Sequence, residues 1–315
     1  MSSSSVIAII GPTACGKTAL SVALAKRIDA EIVSCDSAAV YKGLDIGTAK
    51  PTQAEQSGVI HHMLSCIDPR ETSFSVHEFA ALARKAIDEI QSRGKCVIAV
   101  GGSGMYLDAV LCDMEHSAPS DSLIRGELER EYDDSPFTLY AELNKVDPHC
   151  AERLHPNDKK RVVRAMEVYR ITGKPFSELN TDYAAAQQRY RYDTVKVGLN
   201  TDREVLYARI DKRVDDMMKR GLLDEVKALH TQGLDARLTA MQAIGYAQLL
   251  AYLDGKITLD EAAEVIKRDS RRFAKRQLTW FNRDKSVEWF DVSRFISIDE
   301  LCGAVYEYLN MKGKL

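Results

Sequence analysis

The sequence has no Cys-x-x-Cys pair, although it holds seven cysteines among its 315 residues. An odd number of cysteines without such pairs argues against a disulfide framework and against a zinc ribbon. There is also no apolar run near the roughly 18 residues that a membrane span needs. The first apolar run, Val6 to Ile10, is short and lacks a basic segment before it, so we expect no signal peptide. These absences favour a reducing compartment, and we predict a cytoplasmic protein without a membrane partner.

The net charge is small, but the charges are unevenly distributed. The chain has 43 Lys and Arg against 46 Asp and Glu. Residues 267–285 nevertheless hold eight Lys or Arg and only two Asp, and residues 153–174 hold seven Lys or Arg against two acidic residues. The remainder of the chain is therefore acidic. Two strongly basic segments in an acidic chain predict a local site for a polyanion.

The first hundred residues alternate between short apolar runs and stretches with helical apolar spacing. The apolar runs are typical of buried strands and lie at 6–10, 31–35 and 95–100, while the helical stretches lie at 18–28 and 76–90. This alternation predicts an α/β fold with a parallel sheet and helices on both faces. Ligands of such sheets bind at the carboxyl ends of the strands.

The pattern changes after residue 112. Residues 113–193 are polar and helix-rich, and residues 194–199 alternate like a strand that returns to the sheet. We therefore predict a core of residues 1–112 and 194–315 that carries a helical insertion at 113–193. Long amphipathic helices are predicted at 203–230 and 259–283.

A Walker A motif follows the first strand and opens the first helix, which is the context that this motif requires. Its residues are Gly11, Pro12, Thr13, Ala14, Cys15, Gly16, Lys17 and Thr18. The glycines let backbone N–H groups converge on phosphate oxygens, Lys17 neutralises charge, and Thr18 can reach a Mg²⁺ ion. The motif predicts a P-loop kinase-like sheet with a phosphate site. It leaves open whether the phosphate belongs to ATP.

Polar residues also follow the second and third strands. Asp36 could hold the magnesium of a nucleotide, act as a general base, or merely cap a turn. The third strand ends in Gly101-Gly102-Ser103-Gly104, without the carboxylate that many nucleotide hydrolases carry there. This difference weakens the interpretation as an ATPase.

Eight segments together resemble bacterial tRNA dimethylallyltransferases, and their order and spacing agree along nearly the whole chain. They are GPTACGKT at 11–18, DSAAVYKGLDIGTAKP at 36–51, His61-His62, GGSGMY at 101–106, HPND at 155–158, RVVRAMEV at 161–168, IGY at 244–246 and RRFAKRQLTWF at 271–281. The chain departs from the family at Ser103, where threonine is usual, and at Asn282, where arginine is common. No zinc-finger pattern follows residue 285, which indicates the bacterial type.

The resemblance implies transfer of a dimethylallyl group from dimethylallyl diphosphate to the N6 amino group of the tRNA adenosine adjacent (3′) to the anticodon. In this family the phosphate loop holds the diphosphate leaving group with Mg²⁺ at Thr18. The catalytic residues that the resemblance implies are Asp36 as general base, Thr13 near both substrates, and Arg213 beside the diphosphate.

The resemblance also implies contacts with the anticodon stem-loop. The implied tRNA-binding residues are Asp36, Ser37, Ala38, Ala39, Ser103, Arg125, Lys160, Arg161, Arg164, Arg271, Arg272, Lys275, Arg276 and Gln277. The spacing of the cations at 268, 271, 272, 275 and 276 independently places them on one helix face. Phe273, Gln277, Trp280 and Phe281 lie on a different face, and the three aromatic residues are more typical of a core.

Three other functions stay open at the level of the residues. The chain could prenylate free adenine nucleotides, act as a P-loop ATPase or small-molecule kinase, or bind nucleic acid without turnover. The insertion and the two basic segments favour tRNA as substrate. His61 and His62 are adjacent, so on a strand they point to opposite faces and are not expected to share a metal. We expect a monomer.

Overall fold

The fold is built on one parallel sheet. A computed structural model describes residues 5–71, 74–113, 120–178 and 189–315. The strands are β1 (Val6–Ile10), β2 (Ala30–Ser34), β3 (His61–His62), β4 (Cys96–Gly101), β5 (Thr194–Asn200) and β6 (Val287–Asp291). They pair in the order β3-β2-β4-β1-β5-β6, and every pairing is parallel. The predicted α/β fold with a parallel sheet is thereby confirmed.

Helices connect and cover the strands. They are α1 (Lys17–Ile28), α2 (Gln53–Gln56), α3 (Val76–Ser92), α4 (Gly104–Leu111), α5 (Ser122–Asp134), α6 (Pro136–Val146), α7 (Pro148–Ala151), α8 (Lys159–Thr172), α9 (Arg203–Lys219), α10 (Leu222–Thr231), α11 (Tyr246–Leu253), α12 (Leu259–Phe281) and α13 (Ile298–Met311). Short 3₁₀ turns lie at Thr239–Gln242 and Val292–Arg294. Capping boxes begin α3 at Ser75 and α12 at Thr258.

Strand β1 lies at the centre of the sheet and is buried along its whole length. Ile7 and Ile9 pack in a core cluster with residues of α1 and α9 such as Leu20 and Ile210. Because side chains alternate along a strand, Ala8 points to the opposite face, and α3 packs against β2 and β4. A strand that is buried on both faces explains the continuous apolar run at 6–10.

The described residues form two compact units. One consists of Met1–Leu111 and Tyr192–Leu315, and it holds the sheet. The other, Cys112–Arg191, holds α5 to α8 around a core that includes Leu128, Leu143 and Met166. It covers nearly the same residues as the predicted insertion, of which residues 114–119 and 179–188 lie outside the described part of the chain.

Several elements differ from the sequence-based expectation. The long helix predicted at 203–230 is broken, because Gly221 adopts φ +94° and separates α9 from α10. Strand β6 and helices α11 and α13 were not predicted. For β6 the reason is its sequence, because a five-residue edge strand with two acidic residues gives little local signal. Within the described residues, no helix is both long enough and apolar enough to cross a bilayer.

Candidate active site

The phosphate loop joins the end of β1 to the start of α1. The backbone conformation at two of its positions requires glycine. Gly11 has φ +141°, and a Cβ there would lie 2.4 Å from the carbonyl oxygen of Leu199. Gly16 has φ +91° and begins α1 without a side-chain cap. The free N–H groups at this helix start therefore point into the loop, where they suit an anion.

Lys17 folds back over the loop. Its Nζ donates to the carbonyl oxygens of Gly11 at 2.9 Å and Pro12 at 2.7 Å. Burial lowers the pKa of the Lys17 ammonium, while the nearby carboxylate of Asp36 acts in the opposite direction. Burial also raises the pKa of the Cys15 thiol, which donates to Pro12 O at 2.8 Å. The cation of Lys17 is thus held at the loop, and Cys15 serves as a buried structural thiol.

Arg213 brings a second cation to the loop from the middle of α9. Its Nη1 donates to Thr13 Oγ1 at 3.3 Å, so the guanidinium contacts the phosphate loop directly. Burial lowers its pKa, and the carboxylates of Asp36 and Glu55 oppose that shift. An arginine stays protonated in such a setting. The structure therefore brings together Thr13, Lys17, Arg213 and Asp36 at one edge of the sheet.

Asp36 follows β2 and its carboxylate is held by its own turn. Its Oδ1 accepts from the backbone N–H groups of Ala38 at 2.8 Å and Ala39 at 3.1 Å. Asp36 can therefore cap its turn and still react with a ligand, because its second carboxylate oxygen is not needed for these two bonds. Asp36 is half-buried, whereas Ala39 is 4% exposed.

The end of β4 lies against the end of β2. Ser103 Oγ accepts from the Ser37 N–H at 3.3 Å and lies 3.3 Å from the Ser37 hydroxyl. A Cβ on Gly101 would lie 2.2 Å from the carbonyl oxygen of Cys35. This close approach fixes the segment after β4 beside Asp36.

Gln277 of α12 joins two loops of the site. Its Oε1 accepts from the Thr13 N–H at 2.9 Å, and its Nε2 donates to Gly102 O at 3.0 Å. The side chain is 5% exposed. Gln277 therefore positions the phosphate loop against the segment after β4. A contact between Gln277 and tRNA stays a prediction.

One turn further along α12, Trp280 packs on the same segment. A Cβ on Gly104 would lie 2.2 Å from Cδ1 of the indole. The indole Nε1 donates to Asp108 Oδ2 at 2.9 Å. Trp280 is therefore a packing residue in this structure, as expected for the aromatic face of α12.

The opposite face of α12 carries the basic residues. Arg271 pairs with Asp211 at 2.5 Å and is partly buried. The side chain of Arg272 is 64% exposed and lies 3.7 Å from Asp269. Lys275 and Arg276 are exposed. The cationic stripe, which we define as Arg272, Lys275 and Arg276, is thus a solvent-facing surface, whereas Arg271 is engaged by an acidic neighbour.

In the unit Cys112–Arg191, two predicted tRNA contacts share one buried carboxylate. Glu167 is fully buried and pairs with Arg125 at 3.0 Å and Arg164 at 2.7 Å. Burial alone would raise the pKa of Glu167, but hydrogen bonds from Arg164, the Asp121 N–H and Arg125 outweigh it and lower the pKa. Both arginines therefore have a structural function there. Lys160 and Arg161 are exposed on α8.

The sequence reasoning missed Glu225 of α10, which fixes the segment 45–47 downstream of Asp36. Its carboxylate accepts from the backbone N–H groups of Asp45, Ile46 and Gly47 at 2.8 to 3.2 Å, and from the Tyr246 hydroxyl at 2.6 Å. The motifs DIGTAKP and IGY, which contain Gly47 and Tyr246, were the available signal. A Cβ on Gly47 would lie 2.5 Å from the Tyr246 ring, which shows why this position is glycine.

Comparison with known proteins now identifies the family. The profile of the family described as IPP transferase matches residues 39–284. The chain belongs to this family. A tRNA dimethylallyltransferase of Anoxybacillus flavithermus is 48% identical over 309 residues, which cover 98% of this chain and 96% of that protein. Membership of the IPP transferase family makes the chain a transferase.

Solved structures of IPP transferase relatives have the same fold. The full-length tRNA isopentenylpyrophosphate transferase of Bacillus halodurans is 42% identical, with a TM-score of 0.71 over 99% of this chain and 98% of that one. A eukaryotic dimethylallyltransferase acting on tRNA is 29% identical, with a TM-score of 0.81 over 99% of this chain and 81% of that one.

Proposed function

We propose that this protein transfers a dimethylallyl group from dimethylallyl diphosphate to the N6 amino group of the tRNA adenosine adjacent (3′) to the anticodon. The products are N6-dimethylallyladenosine and diphosphate. The observation that carries the proposal is the position of Asp36 at the same sheet edge as Lys17, Arg213 and the phosphate loop. A base for the acceptor and cations for the leaving group thus lie together, and the names of the relatives agree with this chemistry.

The phosphate loop and its cations act on the leaving group. As the carbon–oxygen bond breaks, negative charge grows on the diphosphate, and preorganised donors stabilise that charge most effectively. The donors in this chain are the N–H groups at the start of α1, the Lys17 ammonium and the Arg213 guanidinium. Thr13 would be held near the reacting groups by its bonds to Arg213 and Gln277.

A Mg²⁺ ion fits this site as a companion of the diphosphate. Within the described ranges, no group of three or more His, Cys, Asp or Glu could form a protein cage for a metal. Mg²⁺ commonly takes only one or two protein ligands together with phosphate oxygens and water. The Thr18 hydroxyl in the first turn of α1 would be the protein ligand. The ion would neutralise part of the negative charge on the leaving diphosphate.

Asp36 would accept the proton of the acceptor amine. An adenine amino group is a poor nucleophile because its lone pair is delocalised into the ring, so a positioned base helps the new carbon–nitrogen bond to form. The N–H groups of Ala38 and Ala39 hold one carboxylate oxygen. The other oxygen would receive the N6 proton.

The tRNA would bind through the basic surfaces. The cationic stripe on α12 and the exposed Lys160 and Arg161 on α8 are suited to phosphate contacts. The target adenosine would have to leave its stack to reach Asp36, as is general for enzymes that modify bases.

We place this enzyme in the cytoplasm, as a monomer. The cytoplasm is a reducing compartment, which agrees with the seven free cysteines of the chain.

Asp36→Asn tests the role of the base. The amide keeps an acceptor for the two turn N–H groups but cannot take a proton, so turnover should fall by about 10² to 10⁴. Binding of pyrophosphate should survive, and calorimetry provides that control. Near-native turnover of Asp36→Asn or Asp36→Ala would show that Asp36 is not the base.

The fate of labelled substrates separates this function from its rivals. The protein is incubated with labelled dimethylallyl diphosphate, ATP, AMP and unmodified tRNA. Label from the donor should appear in tRNA and not in AMP. Phosphate transfer from ATP would favour a kinase, and label in AMP would favour a nucleotide prenyltransferase.

A further inference from the structure

Two ion pairs that the proposed reaction does not use join helices α9 and α12. Arg271 Nη1 lies 2.5 Å from Asp211 Oδ1, and Lys267 Nζ lies 2.8 Å from Asp215 Oδ1. The two aspartates are four residues apart on α9 and the two cations are four residues apart on α12, so each set shares one helix face. The side chain of Arg271 is 28% exposed, against 64% for its neighbour Arg272. Arg271 therefore belongs to the contact between the helices and not to the cationic stripe.

The same two helices hold Thr13 of the phosphate loop from two sides. Arg213 of α9 donates to the Thr13 hydroxyl at 3.3 Å, and Gln277 of α12 accepts from the Thr13 N–H at 2.9 Å. Arg213 is two residues from Asp211, and Gln277 is six residues from Arg271. At about 1.5 Å per residue, these steps are about 3 Å along α9 and about 9 Å along α12. The contacts thus close a short ring through Thr13 and the Asp211–Arg271 ion pair.

The apolar contact between the helices does not fix their register by itself. Ile210 of α9 and Ala274 of α12 lie in the same buried core cluster. Burial of apolar surface holds the helices together, but it is not directional. A charge-assisted hydrogen bond adds geometric specificity. The ion pair is therefore the contact that can determine how far one helix slides along the other.

We infer that Asp211 and Arg271 are positioning residues of the donor site, which we define as the phosphate loop together with Arg213. Their ion pair sets the register of α9 against α12 and so keeps Arg213 and Gln277 aligned on Thr13. Arg271 thus acts on the donor and not on a tRNA phosphate. The inference rests on the proposed function, because it takes the phosphate loop to hold the diphosphate of the donor.

Asp211→Ala separates positioning from simple electrostatics. The change removes a negative charge near the donor site, so Coulomb attraction alone would tighten the binding of inorganic pyrophosphate. Positioning predicts the opposite sign. Because misplacement by 1 Å can cost about a hundredfold, a smaller shift should raise the pyrophosphate dissociation constant about fivefold and lower kcat about tenfold. Titration calorimetry on the full chain without tRNA measures the first value, and steady-state kinetics at saturating tRNA measure the second.

The matched control is Asp216→Ala. It removes the same charge from the same helix, but it breaks only an exposed ion pair with Lys212, which is also on α9. Pyrophosphate binding should therefore not weaken. Partly exposed ion pairs contribute little to stability, so Asp211→Ala and Asp216→Ala should both melt close to the wild-type temperature.

Two substitutions of Arg271 separate the donor site from tRNA. Arg271→Gln removes the charge, whereas Arg271→Lys keeps a cation that can pair with Asp211. Arg271→Gln should weaken pyrophosphate binding as Asp211→Ala does, and leave the slope of log tRNA affinity against log salt concentration at the wild-type value. Arg271→Lys should restore most of the pyrophosphate affinity. If Arg271→Gln folds poorly, the pyrophosphate affinity of Asp211→Ala decides.

Two results would overturn the inference alone. One is an Arg271→Gln protein with wild-type pyrophosphate affinity and a salt slope reduced by about 0.7, which would make Arg271 a tRNA contact. The other is an Asp211→Ala protein that binds pyrophosphate as tightly as the wild type or more tightly. A wild type that does not bind pyrophosphate would overturn the proposed function, and the inference with it.

Discussion

Replacing Gln277 by methionine breaks the bridge between the phosphate loop and the segment after β4 while nearly preserving side-chain volume. In the structure the amide bonds to Thr13 N at 2.9 Å and to Gly102 O at 3.0 Å. Methionine can pair with neither group. Each buried polar group left without a partner costs about 1–3 kcal/mol, so we expect the free energy of unfolding to fall by about 2–4 kcal/mol. Urea denaturation followed by circular dichroism measures that loss.

The second measurement is pyrophosphate affinity in the absence of tRNA. Because Gln277 holds the backbone of Thr13, its loss should loosen the loop and raise the dissociation constant of pyrophosphate about tenfold, which corresponds to about 1.4 kcal/mol. Lys275→Met is the matched control, since it makes the same new side chain two residues earlier on the exposed face of α12. It should change neither the unfolding energy nor pyrophosphate binding.

A Gln277→Met protein with wild-type stability and wild-type pyrophosphate affinity would refute this reasoning. If only the Michaelis constant for tRNA rose, Gln277 would act as the family resemblance implies, through the tRNA. The two interpretations therefore separate in an experiment that contains no RNA.

Three further predictions concern the cationic stripe and two carboxylates that accept several hydrogen bonds. Arg272→Gln combined with Arg276→Gln should reduce the slope of log tRNA affinity against log salt concentration by about 0.7 for each lost single-strand contact, while folding hardly changes. An unaltered slope would make the stripe an ordinary solvated surface. Glu225→Ala should lower the free energy of unfolding by about 2–4 kcal/mol, because three loop N–H groups and the Tyr246 hydroxyl lose their acceptor. Urea denaturation measures this loss, and an unchanged denaturation midpoint would contradict it. The pKa of Glu167 is lowered from its ordinary value of 4.5, so its carboxylate contributes stability that is present above 4.5 and is lost as pH falls through the folded pKa. Wild type should therefore lose more stability than Glu167→Gln as the pH is lowered below 4.5, and equal losses would be the contrary result.

The central part of the fold could be predicted because its signals are local. A buried strand, a glycine loop and a helix follow one another at residues 6–28, and each has its own sequence pattern. The spacing of the cations at 268, 271, 272, 275 and 276 likewise predicted a shared helix face. The structure exposes four of them, whereas Arg271 is partly buried and pairs with Asp211. Local periodicity is sufficient to predict which side chains share a surface when all of them lie on one helix.

The supporting contacts could not be predicted in the same way because they join distant parts of the chain. Glu225 accepts from residues 178 to 180 positions away, and Gln277 contacts Thr13 across 264 positions. No window of sequence contains both partners. Strand β6 shows the same limit, since its assignment depends on pairing with β5 and not on its own five residues.

The tight packing around Gly101, Gly102 and Gly104 has a consequence for genetic suppression. A Cβ at Gly102 or Gly104 would collide with Gln277 or Trp280, so a smaller residue on α12 could restore room for alanine. At Gly101 the obstacle is the backbone carbonyl of Cys35, which no second-site substitution can shorten. A mutational scan would score all three glycines as intolerant. Only a search for suppressors would distinguish the two that are limited by a side chain from the one that is limited by the main chain.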